Sequence, residues 1–307
     1  MEERVPTGDV RDGAALEGER GRLVGLAYRM LGTTAEAEDA VQEAFVRWYR
    51  LDDAARSAIT NPAGWLTRVT SRVCLDVLGS ARVRRERYVG PWLPEPVPGD
   101  LFARDGGADV ADPADRVVRD ESVSTALLVV LEAMTPAERV AFVLHDVFGH
   151  TFADVAEVLG RTPAAARQLA SSARAHARAG RSGEVAAGEH DRVVAAFARA
   201  AGGDDLAALT ALLDPSVELR SDGGGVARAA LNPVHGAPKV ARFLLGVLHR
   251  QADARLEPRS TADGAALAFV RGGRVTGVVN VAVVAGRVTA VWVQWNPDKL
   301  TRWNPPV

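Results

Sequence analysis

The stretch "TFADVAEVLGRTPAAARQLASSARAHAR", residues 151–178, decides how this chain is read. Phe152, Val155, Ala156 and Leu159 fall at helical spacing on one face, and Gly160 ends that segment. Thr162 is a candidate N-cap, and Pro163 stands at the first helical position, where a missing N–H costs nothing. Helix, tight glycine turn, helix is the helix-turn-helix layout. In the second helix Ala166, Leu169, Ala170 and Ala173 can pack inward, while Arg167, Gln168, Ser171 and Arg174 lie outward or flank that face. Small inward residues permit close packing, and arginines and amides suit base edges and phosphates. Glycine-joined helix pairs are common. Here, however, Arg161, Arg167, Arg174, Arg178 and Arg181 stand in a segment with no acid at all, which favours nucleic acid.

Working outward, the whole chain has 307 residues, 47% of them hydrophobic, and a net charge of −2, so it can bury real cores in two or three domains. No run approaches the ~20 apolar residues needed to span a bilayer. The acidic, polar start lacks the apolar segment of a secretory signal. The single cysteine, Cys74, can form neither an internal disulfide nor a cysteine-rich zinc site. These features predict a cytoplasmic protein without membrane contact, metal or cofactor. The near-neutral charge hides segregation, since "SARVRRERYVG" sets Arg82, Arg84, Arg85 and Arg87 against Glu86.

Residues 18–87 read as helical, 88–115 as a Pro/Gly/Asp-rich linker and 116–180 as helical again, with a short joint at 180–188. In "LGTTAEAEDAVQEAFVRWYR", Thr33 precedes Glu36 at capping-box spacing, and Ala37, Ala40, Val41, Ala44 and Trp48 make a core face. Asp39, Gln42, Glu43 and Val46 make a second, acidic face, which spacing alone leaves open between a solvated side and a docking surface. In the next helix, started by Asn61-Pro62, Trp65, Leu66, Val69, Val73 and Val77 or Leu78 form an apolar stripe, and Arg68 and Arg72 share another face.

These blocks resemble the two conserved domains of extracytoplasmic-function sigma factors, in order, over about residues 18–182. The resemblance implies sigma domain 2 at 12–90, a linker at 91–117 and sigma domain 4 at 118–182. Asp39, Gln42, Glu43 and Val46 would dock on the clamp of the RNA polymerase β′ subunit, and domain 4 would meet the β flap. Arg68, Arg72, Arg82, Arg84 and Arg85 would face the −10 element of promoter DNA. Arg161, Thr162, Arg167, Gln168, Ser171, Arg174 and Arg178 would face the −35 element. Ser172 stands where many relatives carry arginine, so one contact there is in question.

Residues 186–307 read as two helices, a strand, a helix at "GAPKVARFLLGVLHRQ" and three strands turning at Arg271-Gly272-Gly273 and Ala285-Gly286-Arg287. This α+β domain resembles the SnoaL-like cone fold, and one group of these sigma factors carries such a domain as a fused regulator. Its motifs are present: "WLPEP" with Trp92, Leu93 and Pro94, then Asp222, Gly223, Gly224 and Gly225, then Asn296, Pro297, Asp298, Lys299 and Leu300. The usual lysine after the glycines is Val226, so any ion pair it made is lost or supplied by Arg228. The resemblance predicts two all-α sigma domains followed by this α+β domain, with Trp92 and Leu93 as anchors between them. Packing of Trp92 on domain 2 alone stays open.

Catalysis finds little support. The candidates are Asp191, Asp214, Asp222 and His235; Asp214 reads as a turn, Asp222 as a loop and His235 as structural, and no tyrosine lies in 186–307 to build an oxyanion hole. A small-molecule sensing pocket stays open. The alternative function is a one-component DNA-binding regulator with a ligand-sensing domain, which would bind duplex DNA alone.

Overall fold

The computed structural model describes residues 8–85, 88–99, 124–180, 188–251, 253–261 and 264–304. The chain packs as two units. One comprises residues 1–82, 101–115 and 131–176, and the other 83–100, 116–130 and 177–307.

In the first unit, α1 (Gly8–Leu31) and α2 (Thr34–Tyr49) pack together across a turn at Gly32, whose φ of 81° favours glycine. Ala37, Ala40, Val41, Ala44 and Trp48 are buried, as the spacing predicts. The expected capping box at Thr33 takes another form: its hydroxyl donates to the Glu36 carboxylate at 3.0 Å and caps no backbone N–H. A short helix α3 (Asp53–Ser57) leads to α4 (Pro62–Arg85), which buries Leu66, Val73 and Leu78 and sets Trp65 edge-on to Trp48 at 5.4 Å. Cys74 is fully buried, and that burial pushes its thiol well above the ordinary range.

Helix α5 (Thr125–Glu132) is followed by α6 (Pro136–Phe142), capped by a Thr135–Glu138 box and continued by a π-turn at Val143–Val147. Helix α7 (Phe152–Leu159) starts from a Thr151–Asp154 box and ends at Gly160, left-handed at φ 61°. Helix α8 (Pro163–Gly180) starts where Thr162 accepts from the Ala165 N–H at 3.2 Å. The helix-turn-helix of the sequence is thus built, with Ala166, Ala170 and Ala173 buried beneath α8.

In the second unit, α9 (Glu189–Gly202), α10 (Leu206–Leu212) and α11 (Ala237–Arg250) accompany a six-stranded sheet. The strands are β1 (Leu213–Asp222), β2 (Val234–His235), β3 (Arg255–Thr261), β4 (Gly264–Arg271), β5 (Arg274–Val284) and β6 (Arg287–Gln294), in the order β2-β1-β6-β5-β4-β3. β1 runs parallel to β6, and the other pairs are antiparallel. The two expected hairpins turn at Gly272-Gly273 and Ala285-Gly286, all four residues having positive φ, which matches the strand twist. β2 and β3 are additions to the sequence reading: β3 carries Pro258 and few apolar residues, so it lacks the usual strand signal. One face of the sheet packs with the helices into an apolar core that includes Val217, Leu219, Phe269 and Trp295. Gly277 makes room for that tryptophan, since a Cβ there would lie 2.2 Å from its ring.

Candidate functional site

Asp222 is the focus of the second unit. The sequence suggested a loop aspartate, but it is the last residue of β1 and is fully buried. It therefore has to find partners for both oxygens inside the protein. Oδ1 accepts from the Tyr88 hydroxyl at 2.6 Å and from the Gly224 N–H at 3.0 Å. Oδ2 accepts from the Leu93 N–H at 2.9 Å and from Lys299 Nζ at 2.8 Å. Each oxygen thus has one backbone N–H, and the cationic partner is a lysine of the tail.

Lys299 is itself buried and donates a second bond to the Leu93 carbonyl at 2.6 Å. Its ammonium lies 3.9 Å from the centroid of the Trp92 ring and 5.2 Å from that of Tyr88. A desolvated cation against indole is the favourable case of a cation–π contact. The proline-rich strap, 88–99, is thereby held at several points. Gln294 Nε2 donates to the Pro94 carbonyl at 3.4 Å, and Trp303 Nε1 donates to that of Pro96 at 2.6 Å. Pro98 bridges to Thr261, and the Gly99 N–H donates to the Ser260 carbonyl at 3.1 Å, so the strap also covers the open edge of β3.

The glycines make this approach feasible. A Cβ on Gly223 would lie 2.1 Å from the Ala227 carbonyl oxygen, and one on Gly224 2.5 Å from Asn296. Gly225 faces Val89 of the strap. Asn296 donates to the Tyr88 hydroxyl at 3.0 Å and caps the Asp298 N–H. Pro297 and Asp298 are exposed, while Leu300 is buried against Ala268, Val275 and Val278. Val226 is 77% exposed. Burial, and then the bond to Asp222, push the Tyr88 phenol well above its ordinary range. The sequence placed no tyrosine in 186–307; Tyr88 enters from the strap, with its hydroxyl already committed to Asp222.

Leu93 packs on Ala282 and Trp292 of the sheet face opposite the apolar core, beside Ala126 and Val129 of α5. Asn280 Nδ2 of β5 donates to Thr125 Oγ1 at 2.6 Å, both residues being buried. This seat for α5 was not anticipated. Its trace in the sequence is the polar Asn280 inside the apolar run 278–284 of β5.

In the first unit Asp39 and Gln42 are exposed, and Glu43 and Val46 are partly so; Glu43 accepts from Arg47 at 2.9 Å. Arg161 and Thr162 are exposed just before α8, and Arg167, Gln168, Ser171 and Arg178 are exposed along it. Arg174 pairs with Asp146 at 2.9 Å, and Arg167 lies 5.1 Å over the Phe152 ring. Ser172 donates to Glu138 at 2.6 Å. Burial alone would raise the Glu138 carboxyl, but bonds from Ser172 and Thr135 outweigh it and hold the group below its ordinary range. Arg68 and Arg72 both reach Glu157 of α7. The side chains of Arg82, Arg84 and Arg85 lie outside the described residues. Among the described residues no group of His, Cys, Asp and Glu could hold a metal ion, and no helix is long and apolar enough to cross a membrane.

A helix-turn-helix unit and a helical unit of this kind define a sigma-70-type protein: Sigma-70 region 2 matches residues 16–87 and Sigma-70 region 4 matches residues 124–176. The chain is 42% identical to the ECF RNA polymerase sigma factor SigJ of Mycobacterium tuberculosis, with 93% of this chain and 92% of SigJ covered. It is 39% identical to the probable ECF sigma factor SigI of the same species, covering 94% of each. The crystal structure of SigJ superposes with a TM-score of 0.73, covering 95% of this chain and 99% of that one. The chain belongs to the extracytoplasmic-function RNA polymerase sigma factors, which direct transcription initiation and are not enzymes, and it carries a fused C-terminal α+β domain.

Proposed function

We propose that the C-terminal domain regulates this sigma factor from within the same chain, by gripping the strap between regions 2 and 4 and seating the first helix of region 4. The observation that carries this reading is Asp222, whose buried carboxylate is bound at once by strap residues Tyr88 and Leu93 and by tail residue Lys299. An intramolecular grip acts at high effective concentration, so a modest contact suffices to bias the promoter-reading regions.

In this reading Asp39, Gln42, Glu43 and Val46 dock on the β′ clamp, and region 4 meets the β flap. Arg68, Arg72, Arg82, Arg84 and Arg85 face the −10 element. Arg161, Thr162, Arg167, Gln168, Ser171, Arg174 and Arg178 face the −35 element. Trp92, Leu93, Pro94, the Asp222–Gly225 loop and the Asn296–Leu300 tail form the grip, and the protein acts in the cytoplasm.

In vitro transcription with core polymerase, from the chain's own upstream region, tests the reading. Trp92→Ala, Asp222→Ala and truncation before Asn296 shift promoter output in one common direction. Parental output from all three variants refutes the grip.

A further inference from the structure

Three side chains around the helix-turn-helix form a stack. Arg167 of α8 sets its guanidinium 5.1 Å from the centroid of the Phe152 ring, on the first residue of α7. His145, in the π-turn at Val143–Val147, stacks on the same ring with centroids 3.9 Å apart and planes 29° apart. The stack starts from a fixed point. His145 Nδ1 lies 2.8 Å from the His150 carbonyl, which can only accept, so Nδ1 carries the proton and the plane of the imidazole is set. The backbone beside it is closed in turn: the Gly149 N–H donates to the His145 carbonyl at 3.1 Å, and the His150 N–H donates to the Leu144 carbonyl at 2.9 Å. A π-turn is an uncommon departure from the α-helix, found often at functional sites, and here it holds the residue that orders the Phe152 ring.

From this geometry we infer that His145 and Phe152 are positioning residues for promoter recognition: they hold the Arg167 guanidinium in the orientation in which it meets the −35 element. A guanidinium stacks through its flat face and carries its five N–H donors in the plane of the group. The ring therefore occupies none of those donors. Among the described residues no hydrogen bond or ion pair occupies them either, whereas Arg174, two turns further along α8, gives a donor to Asp146. An exposed arginine loses rotamer freedom when it binds. The stack removes part of that freedom beforehand and leaves the donors open to a base edge or a phosphate, which is preorganisation. Neither ring has to touch DNA. The inference deepens the assignment of Arg167 to the −35 element and rests on it.

The test uses holoenzyme and a −35-containing duplex that the parent holoenzyme selects from a random pool, with affinity read from binding isotherms. Arg167→Ala weakens binding. Phe152→Leu keeps an apolar side chain on α7 but removes the flat ring, and it lowers affinity about two- to five-fold, the range of an exposed cation–π contact. Phe152→Tyr keeps the ring and binds as the parent does. His145→Gln removes the second ring and lowers affinity in the same direction as Phe152→Leu. In the Arg167→Ala background neither Phe152→Leu nor His145→Gln causes a further loss, because the side chain they position is gone. A merely structural role would weaken both backgrounds alike. Equal losses with and without Arg167 therefore overturn the positioning role, as does parental affinity in both Phe152→Leu and His145→Gln; in either case a defect in Arg167→Ala leaves its −35 assignment standing. Parental binding by Arg167→Ala overturns that assignment, and the positioning role with it. If thermal melting shows Phe152→Leu unfolded at the assay temperature, the His145→Gln cycle decides alone.

Discussion

Lys299 Nζ lies 2.8 Å from Asp222 Oδ2, with the lysine side chain 7% exposed and the aspartate 0%. A buried pair of this kind is a poor source of net stability, but removing one member strands the other charge, at a cost of about 3–5 kcal/mol. Lys299→Met should therefore lower stability by about that amount. Asp222→Asn/Lys299→Met should recover much of it, because neither charge remains and the amide oxygen can still accept from the Leu93 N–H. Urea denaturation of the parent and the two variants decides this. A double variant no more stable than Lys299→Met alone would show that the charges are not coupled.

Tyr88 gives the grip an alkaline limit. Its folded-state pKa is raised, by burial first and then by the bond to Asp222. For a raised group the stabilising contribution is whole below the unfolded pKa of about 10 and is lost as pH rises above it. The parent chain should therefore lose stability above about pH 10 more steeply than Tyr88→Phe, which has no proton to lose. Parallel pH profiles for the two proteins would place the phenol outside the linkage.

The fold was legible wherever period and punctuation agreed. The alanine-rich face of α2, the Gly160 turn and the two glycine hairpins follow from spacing alone. The grip was legible only in part. Its three segments could be named from a resemblance, but Lys299 beside Trp92 joins residues far apart in sequence, and no local period reports such a contact. β3 was missed because a strand covered by the strap needs little apolar patterning of its own. Glu157 was missed because a charge on an amphipathic helix reads as solvated until its partner is located.

Gly224 separates close approach from backbone strain. Gly224 and Gly225 both have positive φ, at 64° and 74°. A Cβ on Gly224 meets Asn296 at 2.5 Å, whereas one on Gly225 meets Val89 at 3.4 Å. Gly225→Ala should cost about 1–2 kcal/mol for the left-handed backbone alone. Gly224→Ala should cost more and should also expose the strap to limited proteolysis, because Asn296 must move away from the Tyr88 hydroxyl. Equal stability and digestion of the two variants would remove Asn296 from the grip.

Asp39 and Glu43 lie on the outward side of α2, so Asp39→Ala/Glu43→Ala should leave the melting temperature nearly unchanged, as exposed substitutions do. Recovery of core polymerase in a pull-down should fall. Full recovery would move the docking face elsewhere on region 2.

Arg167 tests the register of the recognition helix. Its guanidinium is exposed on α8 and lies 5.1 Å over the Phe152 ring, which stacks on His145 at 3.9 Å. The ring thus steadies a long side chain that would otherwise lose rotamer freedom on meeting DNA. Arg167→Ala should weaken holoenzyme binding to −35-containing DNA. If the arginine reads a base edge, the loss is about 1–3 kcal/mol and preference at one position relaxes. If it holds a phosphate, all sequences weaken alike and the slope of log affinity against log salt flattens by about one unit. Binding isotherms at several salt concentrations, on the matched promoter and on single-base variants, separate the two. Unchanged affinity together with an unchanged slope would mean that α8 enters the groove on another face, with Arg161 and Thr162 at its leading end and Arg167 turned away from the DNA.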